Sequence, residues 1–233
     1  MIGSPLAIEP VFQLGSVPIT MPVLVTWGII LVLVGGAALL TRRLRIEPGK
    51  AQVALELLVS TIDSQIRDTM QADPARHRML IGGLFVFILI ANWTALIPGV
   101  EPPTAHIETD AALAAIVFAA MIREGVRARG ALGYLKSFAE PVWFMAPLTL
   151  IEQITRTFSM IVRLFGNVMS GVFVIGILLS LAGLLVPIPL MALDLLTGAV
   201  QAYIFAVLAM VFIGAAIGES APSSPDTHSQ EPT

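Results

Sequence analysis

The sequence predicts an all-α membrane protein: about five transmembrane helices, an amphipathic helix at the cytoplasmic surface, and a last pair of long helices tilted as an antiparallel hairpin. Three observations predict it. Of the 233 residues, 56% are hydrophobic and only 12% are charged, about half the charge of an ordinary soluble domain. Several apolar runs approach or exceed the roughly 20 residues that a helix needs to cross a bilayer. Lysine and arginine are confined to alternate connecting segments, the pattern that marks cytoplasmic loops.

Residues 1–18 are mixed and Pro-rich and read as an exposed N-terminal segment. The first apolar helix spans about 21–40 and stops at Thr41-Arg42-Arg43-Leu44-Arg45. In 48–76, Val53, Leu55, Leu57, Leu58, Ile62 and Ile66 are interleaved with Glu56, Asp63, Gln65 and Arg67. Begun by Pro48, this amphipathic pattern suits a helix lying on a membrane surface, with a soluble linker helix as the alternative. A second span covers about 79–97 and ends at Pro98-Gly99. An acidic loop follows, with Glu101, Pro102, Pro103, Glu108 and Asp110. The third span, about 109–122, is short unless it starts near Ala105, and a basic loop with Arg123, Arg127, Arg129 and Lys136 comes after it.

Up to residue 140, every Lys and Arg lies in 42–78 or 123–136. The positive-inside rule then places the N-terminus outside, 42–78 inside, 98–108 outside and 123–140 inside. From 147 to 186 the chain is almost uninterrupted helix-compatible sequence. Forty residues at about 1.5 Å each would span about 60 Å, twice the roughly 30 Å hydrocarbon layer. The helix must tilt steeply or break and re-enter. With no proline between 148 and 186, one long inclined helix is favoured. Pro187-Ile188-Pro189 makes the turn, and a last helix runs over about 190–218. Residues 19–218 form the membrane domain. The Ser/Pro/acidic tail, 219–233, is expected to be disordered.

Several function classes lose support. The chain has no cysteine, which removes disulfides, thiolate chemistry and Cys-type zinc sites. His77, His106 and His228 are far apart and read as solvated or interfacial; no His/Glu cluster has metal-ligand spacing. No Gly-rich phosphate loop appears, so neither a metal nor an organic cofactor is expected, and nucleic acid is not an expected partner. The N-terminal Met-Ile-Gly-Ser-Pro-Leu lacks the basic region of a signal peptide and the Arg-rich character of a transit peptide. A bacterial inner (plasma) membrane is therefore favoured.

Charge within an apolar span costs at least about 2.5–3.5 kcal/mol for a central Arg or Asp, so such residues are functional candidates. The long helix holds Glu152, Arg156 and Arg163, and the last helix holds Asp194 and Gln201. Arg156 and Arg163 share a face. Glu152 precedes Arg156 by four, the favourable order for a helical ion pair. Asn167 and Ser170 continue the stripe, and Asp194, Gly198 and Gln201 share a face of the last helix. Topology puts Glu152 and Arg156 toward the cytoplasm, Asp194 toward the exterior, and Arg163 and Gln201 deeper. Arginine is never deprotonated at working pH. A fixed positive charge blocks a continuous cation path yet attracts a mobile carboxylate. That is the logic of two offset half-channels joined by a moving acid. The alternative is structural: polar residues joining helices, or Arg156 snorkelling to the interface.

Arg163-Leu164-Phe165-Gly166-Asn167 matches the signature of the subunit a family of F-type rotary ATP synthases. Pro147-Leu148-Thr149-Leu150-Ile151-Glu152, Gln201-Ala202-Tyr203-Ile204-Phe205, Ala91-Asn92 before Ile97-Pro98, and Pro102-Pro103-Thr104-Ala105 resemble other family motifs. The resemblance covers about residues 20–218. It implies a non-catalytic ion-channel subunit whose partners are the c-ring, the subunit b peripheral stalk, membrane lipids and a translocated H+ or Na+. Arg163 would face the essential c-ring carboxylate, with Gln201 beside it. Asn92, Asn167 and Asp194 would line the outer half-channel, with Glu152 toward the inner one. Many relatives carry an acid nine residues after the signature arginine; here that position is Val172, so the outer channel rests more heavily on Asp194. A self-contained secondary transporter is the competing reading, but paired repeats and broken midplane helices are not evident.

Overall fold

The computed structural model describes residues 10–14, 17–42, 49–97, 100–137, 144, 146–183 and 186–218. The expected tail and most of the expected exposed N-terminal segment lie outside the described residues. The fold is the expected all-α membrane architecture, with one small addition. Strands β1 (Pro10–Leu14) and β2 (Val17–Thr20) pair antiparallel, with Phe12 opposite Ile19 and Leu14 opposite Val17. Both stretches carry the β-branched and aromatic residues that favour strands, and β2 leads straight into the first helix.

Four described helices are long and apolar enough to cross a membrane. Helix α1 (Met21–Thr41) starts with Pro22 in its first turn, where a missing N–H costs nothing. It sits at the periphery and leaves Leu31, Val32 and Leu39 exposed, the surface expected of a lipid-facing helix. Helix α3 (Pro74–Trp93) is capped by the Asp73 carboxylate, which accepts from the Ala75 N–H at 3.0 Å. A 3-10 turn, Thr94–Leu96, extends it. Helices α5 (Ala146–Ala182) and α6 (Ile188–Gly218) complete the four.

Helix α2 (Lys50–Met70) is the expected amphipathic helix, but part of its apolar stripe faces protein. Ile66 is fully buried and Met70 nearly so, where α2 packs on α3 and α6. Arg78 of α3 forks onto the Asp63 carboxylate and pins the pair. Val53 and Leu57, nearer the N-terminus of α2, remain exposed.

Helix α4 (Ile107–Ser137) departs from the expectation of a short span followed by a basic loop. The basic stretch is helical. Arg, Ala and Glu are good helix formers, and a helix leaving the apolar layer has no reason to stop where its side chains become polar. The break comes at Gly130, at φ 74°, a conformation that favours glycine. The first half of α4 carries Glu108 and Asp110 in its opening turn and is not among the four helices that are long and apolar enough to cross a membrane.

Helix α5 runs unbroken for 37 residues, about 55 Å at the usual rise, so it is the single long helix favoured over a broken one. Helix α6 is the hub of the domain. It packs against α2, α3, α4 and α5 and buries Gly198, Gln201, Ala202, Phe205, Ala206, Ala209, Met210, Ile213 and Ala216. Small residues dominate this face. In lipid, where apolar surface alone does not drive helices together, close backbone approach is what holds them.

His77 is a correction to the expected solvated histidines. It is 4% exposed, and its Nε2 lies 3.8 Å from the buried Glu124 carboxylate of α4, which also meets Arg76 and Arg123. The packing of α4, which brings Glu124 to this point, buries the ring; nothing near His77 in the chain announces it. His228 lies outside the described residues.

Candidate functional site

The polar residues of α5 and α6 meet across an antiparallel hairpin. Near the end of α5, Gly171 lies against the Asp194 carboxylate of α6; a Cβ at 171 would overlap it. Near the start of α5, the Arg156 guanidinium lies 5.6 Å from the Phe212 ring centroid, a cation–π contact. Interpolating between these two contacts brings Arg163 level with the turn of α6 that begins at Gln201.

Around Asp194 the structure gathers most of the expected outer-channel residues. A cleft of about 230 Å³ is lined by Asn167, Ser170, Gly171, Val174, Ile175, Leu190, Leu193, Asp194 and Thr197. Asp194 also borders a narrow pocket of about 10 Å³, together with Asn92, Ala95, Leu96, Ile175, Met191 and Leu195. That is room for about one water. One carboxylate therefore faces two adjoining spaces, one between α5 and α6 and one toward α3.

Asn92 is held on both sides of its amide. Its Nδ2 donates to the Gly198 carbonyl at 2.9 Å, and its Oδ1 accepts from the Thr104 hydroxyl at 2.7 Å. Thr104 belongs to the 3-10 turn Pro103–Ala105 and is fully buried. This network ties α3, α6 and the connection before α4 at one point. Gly198 permits it: a Cβ there would come 3.0 Å from the Asn92 Cβ. Satisfied on donor and acceptor sides, the amide can be buried at little cost.

Arg163 is elsewhere. It is exposed, while its neighbour Leu164 is fully buried, and Met160 and Val168 one turn to either side are buried. The arginine thus borders the buried face of α5 without entering it. Among the described residues it has no hydrogen-bond or ion-pair partner. Arg156 is different, because it is paired with Glu152 one turn earlier and also covers Phe212. Both members of that pair keep part of their surface exposed. Gln201 is 7% exposed on the buried face of α6. Val172 is partly buried against the apolar core. Ser170 donates to the Asn167 carbonyl at 2.9 Å.

Asp110, expected in an acidic loop, lies in the first turn of α4 and is fully buried, with neither carboxylate oxygen hydrogen-bonded. A helical wheel of α4 holds the signal. Asp110 falls on one stripe with Ala114, Val117 and Met121, all buried.

The comparisons with known proteins agree on one family. The profile of the family described as "ATP synthase A chain" matches residues 23–214. The chain is 52% identical to ATP synthase subunit a 2 of Bradyrhizobium sp., over 95% of this chain and 99% of that protein. It is 44% identical to ATP synthase subunit a of Albidiferax ferrireducens, over 88% of this chain and 90% of that one. It is 42% identical to ATP synthase subunit a 1 of Chlorobaculum tepidum, over 88% and 94%.

Proposed function

The chain belongs to the ATP synthase A chain family, and from that premise we propose that it is the ion-translocating stator subunit of a rotary F-type ATP synthase. It provides two offset half-channels that load and unload the carboxylate of a c-ring. Arg163 is the fixed charge between them, Gln201 stands beside it, and Asn92, Asn167, Ser170 and Asp194 line the outer half-channel. Glu152, with Arg156, borders the inner one. The chain itself is non-catalytic, a channel for the ion; the proposed coupling ion is the proton.

The observation that carries this reading is Arg163. An arginine exposed on an apolar membrane-spanning helix is expensive unless an acid or an aqueous path meets it. Among the described residues, this chain supplies no acid to it. A partner that carries a carboxylate at the same depth resolves the cost. The cleft at Asp194 supports the second half of the reading, because its single carboxylate adjoins both Asn167 and Asn92.

Isolation tests it directly. The tagged chain, purified in mild detergent, should bring with it an oligomeric ring of small hairpin proteins and the subunit b stalk. The complex in vesicles should pump protons when given ATP. Full ion-coupled transport by the chain alone would establish the self-contained transporter instead, and a pumping rate set by sodium rather than by pH would replace the proton as coupling ion.

The proposed setting is the bacterial inner membrane, with 19–218 as the membrane domain, the N-terminus periplasmic and the C-terminus cytoplasmic. The basic residues Arg76, Arg78, Arg123 and Arg127 then lie inside. Because the chain contains no cysteine, single cysteines introduced into it report unambiguously. A cysteine at residue 101 should react with an impermeant maleimide from the outside and one at 127 from the inside. Labelling of both from one side would overturn the five-crossing topology.

A further inference from the structure

We propose that Asp110 is a second ionisable station on the outer pathway, reached from the outer surface through Glu101 and His106. The inference rests on the channel reading above and adds residues to it.

Three titratable side chains form a graded series. Glu101 is 68% exposed, His106 is 15% exposed, and its Nε2 lies 3.4 Å from the Glu101 carboxylate. Asp110 is fully buried. The His106 carbonyl accepts the N–H of Asp110, so the two residues stand one helical turn apart at the start of α4. Asp110 shares its stripe with Ala114, Val117 and Met121, and α4 packs its buried surface on α5 and α6. The series therefore leads from the surface to the contact between α4 and the α5–α6 hairpin. Thr104, in the same connection, is fully buried and bonded to Asn92, which borders a pocket with Asp194.

The N-terminus of α4 favours negative charge at Asp110, but no hydrogen bond or ion pair holds its carboxylate. A buried ionised carboxylate without a partner is among the costliest groups a protein can hold. Neither oxygen of Asp110 has a hydrogen-bond partner. Asp110 thus joins no helices through hydrogen bonds, and an apolar residue of its size would pack at lower cost. Buried polar atoms left open in this way call for water, an ion or a proton to complete them. A carboxyl group that takes up and releases a proton fits that requirement. A proton from bulk water binds Glu101 or His106, passes to the Asp110 carboxylate, and leaves it toward the α5–α6 hairpin on which α4 packs. Each group ends in the state in which it began.

The test uses the whole complex in inverted vesicles. ATP-driven proton pumping and passive flux after removal of the catalytic sector are both measured. Asp110→Leu and Asp110→Asn should each slow both fluxes on the order of tenfold, because neither replacement carries a proton. Co-isolation of the ring and thermal stability should be unchanged or higher. Asp110→Glu should restore much of the flux, which a merely packed residue would not do. Glu101→Gln should cost only about twofold, because water has access to an exposed position. Wild-type flux in assembled Asp110→Leu, or in Asp110→Asn where the leucine variant does not assemble, overturns the proposal. Failure of both variants to assemble makes Asp110 a folding residue and overturns it equally. Asp194→Asn in the same assay separates the two readings. If it is slowed while Asp110→Leu is not, only the added station is wrong; if neither is slowed, the channel reading fails with it.

Discussion

Replacing Arg163 with alanine should abolish ATP-driven ion pumping and ATP synthesis while the complex still assembles. An elementary charge crossing 100 mV carries about 2.3 kcal/mol, so any direct path between the half-channels wastes the driving force. A guanidinium, permanently charged, closes such a path to cations. It also favours the deprotonated state of a passing carboxylate, because a nearby positive charge lowers the carboxyl pKa. Alanine removes both effects. The loss should be at least on the order of 100-fold, as when a preorganised charge is taken from a site that excludes water. The position of Arg163 supports tolerance in assembly. It is exposed, and its neighbours Met160, Leu164 and Val168 do the packing. Lysine keeps a charge but loses the planar fork and is readily deprotonated on burial, so Arg163→Lys should fail or nearly fail. Arg156→Ala should retain appreciable activity, since Arg156 is already engaged by Glu152 and Phe212. The measurement is ion pumping and ATP synthesis in inverted vesicles, with subunit content checked. A fully assembled Arg163→Ala complex that made ATP at near wild-type rates would end the central-arginine mechanism for this chain.

Asp194→Asn should slow ion flux by about 10- to 100-fold, the usual worth of a positioned proton-transfer group. Asparagine fills nearly the same volume, so the cleft and the hairpin should survive. What is lost is the ability to bind and release a proton. Among the described residues no other acid lines either the cleft or the narrow pocket, so none of them substitutes there. Gly171→Val probes the same group from the facing helix, because even a Cβ at 171 would overlap the carboxylate. Flux should fall in that variant too, although Asp194 itself is intact. Unchanged flux in reconstituted Asp194→Asn vesicles would move the outer pathway to other groups.

Much of this molecule is legible in one dimension. Apolar length marks α1, α3, α5 and α6, because a bilayer demands runs of one length and charges carry a high cost within them. The stripe Glu152, Arg156, Arg163, Asn167 and Ser170 follows from helical geometry alone, as does the Asp194–Gln201 face. Legibility fails where a neighbour from elsewhere in the chain decides the outcome. His77 looks interfacial until Glu124 arrives from α4. Asp110 looks like an acid at the edge of a loop until the stripe it belongs to packs against α5 and α6.

The sequence by itself therefore determined that the chain crosses a membrane, which residues share each helix face, and which charges are too expensive to be idle. Those are consequences of composition and of a fixed helical repeat. The tertiary structure alone decided which faces meet. It set Asp194 against Gly171, tied Asn92 to Gly198 and Thr104, engaged Arg156 while leaving Arg163 exposed, and sealed Asp110 inside. The physical reason is that helix contacts in a membrane are chosen by close packing and by hydrogen bonds between distant segments. A periodic pattern states that a face exists, and only the packed structure states what it faces.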